Sequence, residues 1–364
     1  MNVLFAGGGT GGHLYPAVAM AGELQKRVPH VKLSFAGTEA GIEAREIPRL
    51  GYRLHLLSVR GLKRGRSLGA LVDNLGVLAD FIGAVRSALA IINSESPDVV
   101  VGTGGFVSAP LLLAAQMRGK KTLIQEQNAF PGVTTKLLSL FASEIHLSFE
   151  EAKPYIARKK EVYISGNPSR SFSAIDPDQA RLRFGLAESL PTLLVFGGSR
   201  GARSINNAVL KWLDQITASA NLIWQTGSLD YERIKAGVTS SARIWIGPYI
   251  ENMGEAYAAS ELVVCRAGAS TIAEVTNTAK PSVLVPYPHA TGDHQRHNAR
   301  ALAENGAALL IDDEHLQAPE SRQLVLDLLH DRTRRSAMSK AALLLAYPDA
   351  TAALVDRIIR LAKS

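Results

Sequence analysis

The chain carries a single cysteine, Cys265, in 364 residues. No intrachain disulfide can form, a thiolate metal site has too few ligands, and a reducing, cytoplasmic compartment is expected. No Gly-Lys-Ser or Gly-Lys-Thr follows a glycine loop, so there is no P-loop, and the His-Glu-x-x-His metal signature does not occur. The longest uncharged run, 99–117, is broken by Gly102, Gly104, Gly105, Ser108, Pro110 and Gln116. That pattern predicts a strand, a loop and a helix start in place of a membrane span. Met1-Asn2 leads straight into Val3-Leu4-Phe5-Ala6 without a basic n-region or a cleavage site, so a secretory leader is not expected. Recognition modules, zinc knuckles and interleaved aromatics are lacking, and nucleic acid is not an expected partner. Acidic residues are the scarcer charge: 33 Asp and Glu against 40 Lys and Arg leave +7. The excess favours an anionic partner, and its sign alone does not separate a phosphate ligand, nucleic acid and an acidic membrane.

What is present is an ordinary globular composition, 46% apolar and 20% charged, which excludes disorder. At roughly 150 residues per domain the length predicts two domains. Ten short β-branched or apolar runs alternate with amphipathic stretches: 3–6, 32–36, 99–101, 122–125, 144–147, 193–196, 222–225, 243–247, 262–265 and 282–285. Such alternation predicts βαβ units, and the runs are too apolar to have one wet face, as expected for parallel strands covered on both sides. The sequence also echoes itself. Val3 to Gly11 returns as Leu193 to Gly201, aligning Gly7, Gly8 and Gly11 with Gly197, Gly198 and Gly201, while Val99-Val100-Val101-Gly102 pairs with Leu262-Val263-Val264-Cys265. Two similar doubly wound, Rossmann-like domains are expected, with ligands at the carboxyl ends of their strands in an interdomain cleft. Breakers cluster between Gly166 and Pro191, which places the boundary at residues 1–166 and 167–347.

Four glycine turns, Gly7 to Gly12, Gly102 to Gly105, Gly197 to Gly201 and Gly268 to Ser270, divide two per half. Gly7, Gly9 and Gly12 satisfy G-x-G-x-x-G, but the acidic residue that a dinucleotide fold needs at the end of its second strand is missing, since 34–38 reads Ser-Phe-Ala-Gly-Thr. Each turn either shapes a strand-to-helix connection or presents amide N–H groups to a phosphate; two diphosphate ligands, one per domain, account for all four together. His13 follows Gly12 where a helix dipole disfavours imidazolium, which suits a general base or a simple hydrogen-bonding group. In Arg266 to Glu274, Thr271 and Glu274 read either as a capping box or as phosphate and ribose ligands at a helix N-terminus. His294, Gln295 and Asn298 share a helix face and suit sugar hydroxyls better than a metal, and Asp176-Pro177-Asp178 reads as a turn. The stretch 67–92 is an amphipathic helix with Leu68, Leu71, Leu75, Leu78, Ile82, Val85, Leu89 and Ile92 in its stripe. Arg60, Lys63, Arg64 and Arg66 precede it, forming either a membrane-docking cluster or a solvated loop.

Taken in order, Gly7 to His13, Gly102-Thr103-Gly104-Gly105, Glu126-Gln127-Asn128, Gly166-Asn167-Pro168, Gly197 to Ala202, Cys265 to Ala269 and His294-Gln295 with Asn298 resemble the MurG family. These bacterial glycosyltransferases move N-acetylglucosamine from its UDP derivative to the undecaprenyl-diphosphate-linked muramyl-pentapeptide of peptidoglycan synthesis. The resemblance implies an α/β GT-B fold with the lipid acceptor on the N-terminal domain and UDP-N-acetylglucosamine on the C-terminal one. It also implies that a last helix, 348–364, packs back on the first domain. Carried over, His13 would be the catalytic base. Thr10, Gly11, Gly12, Asn128, Arg170, Ser199, Ile250, Ala269, Ser270, Thr271, Glu274 and Gln295 would bind the donor, with Ile250 at uracil through its backbone and Glu274 at ribose. Gly9, Gly104 and Gly105 would meet the acceptor diphosphate. The resemblance further implies a peripheral place on the cytoplasmic side of the inner membrane, contacting anionic lipid through the N-terminal domain, and no essential metal or other cofactor. Arg200 stands where some members carry glutamine. On the residues alone, a sugar-nucleotide epimerase, another GT-B transferase, a dehydrogenase and a non-catalytic basic binder are the competing readings.

Overall fold

The computed structural model describes residues 1–59, 68–170, 172, 174–186, 190–239 and 241–364. The basic cluster expected at Arg60 to Arg66 lies outside the described residues. The chain divides into two compact units, one formed by Met1–Ser169 with Pro348–Ser364 and the other by Arg170–Tyr347. The division falls slightly beyond Gly166, because Asn167 is buried and joined to Gln125 of the first unit.

The first unit runs β1 (Asn2–Gly7), α1 (Gly11–Arg27), β2 (Lys32–Gly37), α2 (Glu43–Arg49), β3 (Arg53–Leu56), α3 (Leu68–Glu95), β4 (Val99–Gly104), α4 (Ser108–Met117), β5 (Lys121–Glu126), α5 (Val133–Leu138), β6 (Glu144–Leu147) and β7 (Val162–Ile164). The second runs α6 (Pro177–Arg183), β8 (Thr192–Phe196), α7 (Arg203–Ser219), β9 (Asn221–Gln225), α8 (Tyr231–Ala236), β10 (Ile244–Gly247), α9 (Met253–Ala259), β11 (Leu262–Cys265), α10 (Ala269–Asn277), β12 (Ser282–Leu284), α11 (His294–Glu304), β13 (Ala308–Leu310), α12 (Pro319–His330) and α13 (Arg332–Leu344). The chain then returns to the first unit as α14 (Ala350–Lys363).

Both sheets are parallel among the described strands, ordered β3-β2-β1-β4-β5-β6-β7 and β10-β9-β8-β11-β12-β13. Position by position β8 occupies the place of β1 and β11 that of β4, which is the correspondence that the internal echo implies. In each sheet the order reverses between those two strands, and all four glycine turns leave their carboxyl ends at that switch point.

Alternation within the central strands explains why both of their faces are covered. In the first unit Val3, Phe5, Phe35, Val99, Val101 and Leu123 pack on one side against Leu14, Ala17, Met20 and Leu24 of α1 and against α14. Leu4, Ala6, Ala36, Val100, Ile124 and Ile145 pack on the other side against Ala84, Ala88 and Ile92 of α3 and Leu111, Leu112 and Ala115 of α4. The second unit repeats the plan with Leu193, Val195, Leu222, Trp224, Leu262 and Val264 beneath Ile205, Val209, Trp212 and Ile216 of α7.

Two expectations need correction. The expected stripe of α3 departs at one described position: Ile92 is buried and Leu89 packs against the core as expected, but Ile82 is exposed and Ala84 and Ala88 are buried beside them. Asp176-Pro177-Asp178 is a helix start and not a bare turn, since the Asp176 side chain caps α6 by accepting from the Gln179 amide (2.9 Å), with Pro177 at the first helical position.

Candidate active site

In the first unit, three strand ends converge on His13. The turn after β1 delivers it to the first turn of α1, where the Thr10 carbonyl accepts from the His13 amide (3.2 Å). Its imidazole is half-buried. Nδ1 lies 3.0 Å from Gln127 Oε1 and 3.2 Å from the Thr103 carbonyl, and the Thr103 hydroxyl donates back to the His13 carbonyl (2.7 Å). Gly104 walls the ring: its φ is +95°, and a Cβ there would stand 2.8 Å from His13 Nδ1, so a side chain would displace the imidazole.

Gly9, Gly11, Gly12 and Thr10 form the turn itself, and its shape depends on a residue outside the motif. Glu43, fully buried at the start of α2, accepts from the Gly9 amide (2.8 Å) and from the Thr38 amide and hydroxyl (2.8 and 2.9 Å). The Gly9 N–H is therefore engaged inside the loop. Glu126 does the equivalent work after β5: it accepts from the Asn128 amide (3.1 Å), the Gly132 amide (3.2 Å) and the Thr135 hydroxyl (2.6 Å), holding the segment that carries Asn128.

In the second unit, Ser199 and Arg200 are exposed in the turn between β8 and α7. Gly201 closes that turn at φ +79°, with its Cβ position 2.0 Å from the Thr226 carbonyl, so only glycine fits. Gln225 at the end of β9 donates to the Gly198 carbonyl (3.0 Å) and accepts from the Ile250 amide (2.9 Å), tying the turn to the segment after β10. The Ile250 N–H is thus also engaged internally.

Helix α10 starts at Ala269 with Gly268 as its cap and no side-chain capping bond. Thr271 lies in its first turn, so the capping-box reading fails. Glu274 instead accepts from Arg170 Nε (2.9 Å) and the Tyr257 hydroxyl (2.9 Å). Burial pushes the Glu274 carboxyl above its ordinary range, and Arg170 and Tyr257 offset only part of that. The first-turn amides of Ala269, Ser270 and Thr271 supply the partial positive charge of the helix end. Arg266, by contrast, is engaged with Asp313 (2.5 Å) and the Val285 and Pro286 carbonyls (3.2 and 3.1 Å). Cys265 is fully buried at the end of β11, where burial raises its thiol pKa and makes it a packing group.

The helix face proposed for sugar hydroxyls is only partly available. Asn298 is buried and donates to the Ala267 carbonyl (3.2 Å), while His294 Nδ1 meets the Thr291 carbonyl (2.7 Å). Gln295 accepts from the Tyr287 amide (2.9 Å) through Oε1 and is half-buried. Among the described residues, the one His/Asp/Glu group close enough to share a metal ion is Asp312, Glu314 and His315, and Asp312 already pairs with Arg296 (2.7 Å).

Comparison with known proteins gives this architecture a family. Residues 3–147 match the glycosyltransferase family 28 N-terminal domain and residues 192–354 the family 28 C-terminal domain. A protein of Chlorobium limicola named UDP-N-acetylglucosamine--N-acetylmuramyl-(pentapeptide) pyrophosphoryl-undecaprenol N-acetylglucosamine transferase is 70% identical over 363 residues, covering 100% of both chains. The chain belongs to the MurG family. A Salinibacter ruber protein of the same name is 42% identical across 99% of this chain and 97% of its own. The crystal structure of Acinetobacter baumannii MurG is similar with a TM-score of 0.79, 29% identity and 99% of each chain covered. A UDP-N-acetylglucosamine 2-epimerase, at 12% identity and a TM-score of 0.60, shares the fold alone.

The residues of the MurG motifs thus gather in two groups, one in each unit. The first collects Gly9, Thr10, Gly11, Gly12, His13, Gly104, Gly105 and Asn128 at the carboxyl ends of β1, β4 and β5. The second holds Ser199, Ile250, Ala269, Ser270 and Thr271 after β8, β10 and β11, with Arg170 bound to Glu274 of α10 and Gln295 bound to the segment after β12. Sequence reasoning missed Glu43, Gln225 and Tyr257 altogether, and it quoted Glu126 and Gln127 without a role. Only the Glu-Gln-Asn run after a predicted strand carried a signal; Glu43, Gln225 and Tyr257 sit in segments with no motif of their own.

Proposed function

We propose that this chain transfers N-acetylglucosamine from UDP-N-acetylglucosamine to the 4-hydroxyl of the muramyl sugar of undecaprenyl-diphospho-N-acetylmuramoyl-pentapeptide, converting lipid I into lipid II in peptidoglycan synthesis. The observation that carries this reading is the full-length likeness to N-acetylglucosamine transferases of that name, on a chain whose four glycine turns stand at two switch points.

The reaction is a single inverting displacement: the muramyl oxygen attacks the anomeric carbon, a β-1,4 bond forms, and UDP leaves with the electron pair of the broken C–O bond. His13 takes the hydroxyl proton. Ser199 and the first turn of α10, at Ala269, Ser270 and Thr271, hold the UDP diphosphate, and amide dipoles rather than a cation stabilise the leaving group. Arg200 is positioned in an exposed turn to add a charge-assisted bond. Glu274, kept in place by Arg170 and Tyr257, accepts from the ribose hydroxyls, Ile250 meets uracil, and Gln295 serves the donor sugar. Thr10, Gly11, Gly12 and Asn128 are assigned to the donor from the first unit, and Gly9, Gly104 and Gly105 to the acceptor diphosphate.

The acceptor is lipid-linked, and the first unit is proposed to sit on the cytoplasmic face of the inner membrane. Supporting this, Met117 at the end of α4 and Val133, Leu137, Leu140 and Phe141 on and after α5 are exposed apolar side chains. Gln116 joins the two helices through the Leu138 carbonyl (3.0 Å), and Arg118, Lys120 and Lys136 lie in the same segments. No helix among the described residues is long and apolar enough to cross a membrane, so such contact would be peripheral. The deciding experiment is transfer of labelled N-acetylglucosamine to a muramyl-pentapeptide diphospholipid analogue with UDP release monitored. Loss of UDP-N-acetylglucosamine to an isomer without acceptor would overturn the proposal.

A further inference from the structure

We propose that Gln127 is the positioning residue that holds His13 in the tautomer carrying its proton on Nδ1, so that Nε2 is the proton-accepting nitrogen. The inference rests on the reading of His13 as the base and adds which nitrogen acts and what decides it.

The argument starts from the amide of Gln127. Its side chain is buried, 1% exposed, directly after β5. Nε2 donates to the Thr103 carbonyl (2.7 Å) and the Gln125 carbonyl (3.0 Å), and also faces the Gln125 side-chain oxygen. All of these partners are acceptors. Turning the amide over would set Oε1 against backbone carbonyl oxygens with no proton between them, so only one orientation is satisfied. Gln125 is itself oriented, its amide donating to the Glu126 carbonyl at 3.4 Å and to the Ser148 hydroxyl at 3.0 Å.

With the amide fixed, Oε1 is the atom presented to His13 Nδ1 at 3.0 Å, and the second atom near Nδ1 is the Thr103 carbonyl at 3.2 Å. Both accept and neither can donate. A bare Nδ1 would face two oxygen lone pairs in a half-buried place, whereas a protonated Nδ1 is satisfied by them. The neutral ring therefore carries its proton on Nδ1, the form that the free side chain disfavours, and Nε2 holds the lone pair. A carboxylate in this place would orient the ring and also stabilise imidazolium; an amide orients it without adding charge.

The test uses the full-length enzyme with ring nitrogens labelled, and reads the tautomer of His13 from its 15N signals in the wild type, Gln127→Met and Gln127→Glu. Expected are a pyrrole-like Nδ1 and pyridine-like Nε2 in the wild type and their loss or mixing in Gln127→Met. Gln127→Glu, which keeps an oxygen acceptor against Nδ1, keeps Nδ1 pyrrole-like. Gln127→Met should lower kcat at least about tenfold, within the ~10²–10⁴ that a positioned base contributes, while both KM values stay within about threefold. A wild-type His13 protonated on Nε2, or a Gln127→Met protein that keeps the wild-type tautomer, overturns the proposal. The NMR result stands apart from catalysis: if His13→Ala kept full turnover while the tautomer still followed position 127, the base assignment would fall and the tautomer lock would remain.

Discussion

Replacing Arg357 with Met probes how α14 is held to the first unit. Arg357 donates from Nε and Nη2 to the two oxygens of Glu144 (2.9 and 2.6 Å) and from Nη2 to the Tyr163 hydroxyl (3.0 Å). Glu144 is buried at the start of β6, and its other partner is His146 Nε2 at 3.0 Å. Burial pushes the carboxyl up, but the hydrogen bonds from His146 and Arg357 outweigh it and bring its pKa from 4.5 down to about 2. A carboxyl depressed in the fold contributes stability above its unfolded pKa and loses it as pH falls toward the folded one, here between 4.5 and about 2. A shift of that size corresponds to about 3 kcal/mol at neutral pH.

Removing the guanidinium leaves a buried carboxylate with one imidazole beside it, which costs about 3–5 kcal/mol. Leu354, Val355, Ile358 and Leu361 on the apolar face of α14 are buried against α1. At ~1.5–3 kcal/mol per side chain they contribute roughly 6–12 kcal/mol at most. The helix therefore stays docked but opens more often. Hydrogen exchange across 350–363 should be at least about a hundredfold faster at pH 7, since ~1.4 kcal/mol is a factor of ten. The difference should shrink by about 2 kcal/mol between pH 6 and 3, as the wild type loses its Glu144 contribution and the variant protonates. Trp212, Trp224 and Trp245 all lie in the second unit, so tryptophan fluorescence serves as a control that should not move. Opening free energy changed by less than about 1 kcal/mol, or a difference insensitive to pH, would refute the reasoning.

His13→Ala should depress turnover by about two to four decades; near-normal turnover removes it from the base role. EDTA should leave the activity of purified enzyme unchanged if amide dipoles stabilise UDP, and its abolition by chelation would refute that account. Because burial raises the Glu274 carboxyl pKa, its ionised form weakens the fold as pH rises past the ordinary carboxyl range. Glu274→Gln is accordingly expected to keep or raise the unfolding midpoint at pH 7 while increasing KM for UDP-N-acetylglucosamine, and an unchanged KM would free Glu274 from the ribose. Glu43→Ala strips the acceptor from the Gly9 amide and from the buried Thr38 amide, the latter at about 1–3 kcal/mol. Urea unfolding of the first unit should shift accordingly, with a weaker acceptor KM, and no change in either would show that the turn holds itself.

Ten strands were visible as apolar runs, among them the edge strand β10 with its Ile244-Trp245-Ile246, and the three that escaped notice are β3, β7 and β13. All three lie at sheet edges. An edge strand has one neighbour and a partly wet surface, so Arg53, His55 and Tyr163 are tolerated there and the apolar signal fades. The glycine turns were legible because a backbone at φ +95° or a 2.0 Å approach admits no other residue, and that constraint is local. Glu43, Gln225 and Gln127 were not, because their bonds span 34, 27 and 114 residues and leave no pattern along the chain.

Composition, the strand rhythm, the internal echo and the ordered motifs were enough to settle two doubly wound halves and the family. These properties depend on period and on glycine, both written locally. Folding settled which polar atoms remain for ligands: Asn298 turned inward to the Ala267 carbonyl, the Gly9 amide was taken by Glu43, Glu274 was handed to Arg170 and Tyr257, and one nitrogen of His13 was committed to Gln127. Each of those outcomes is a competition among donors and acceptors far apart in the chain, and the winners are decided by which segments the fold brings together.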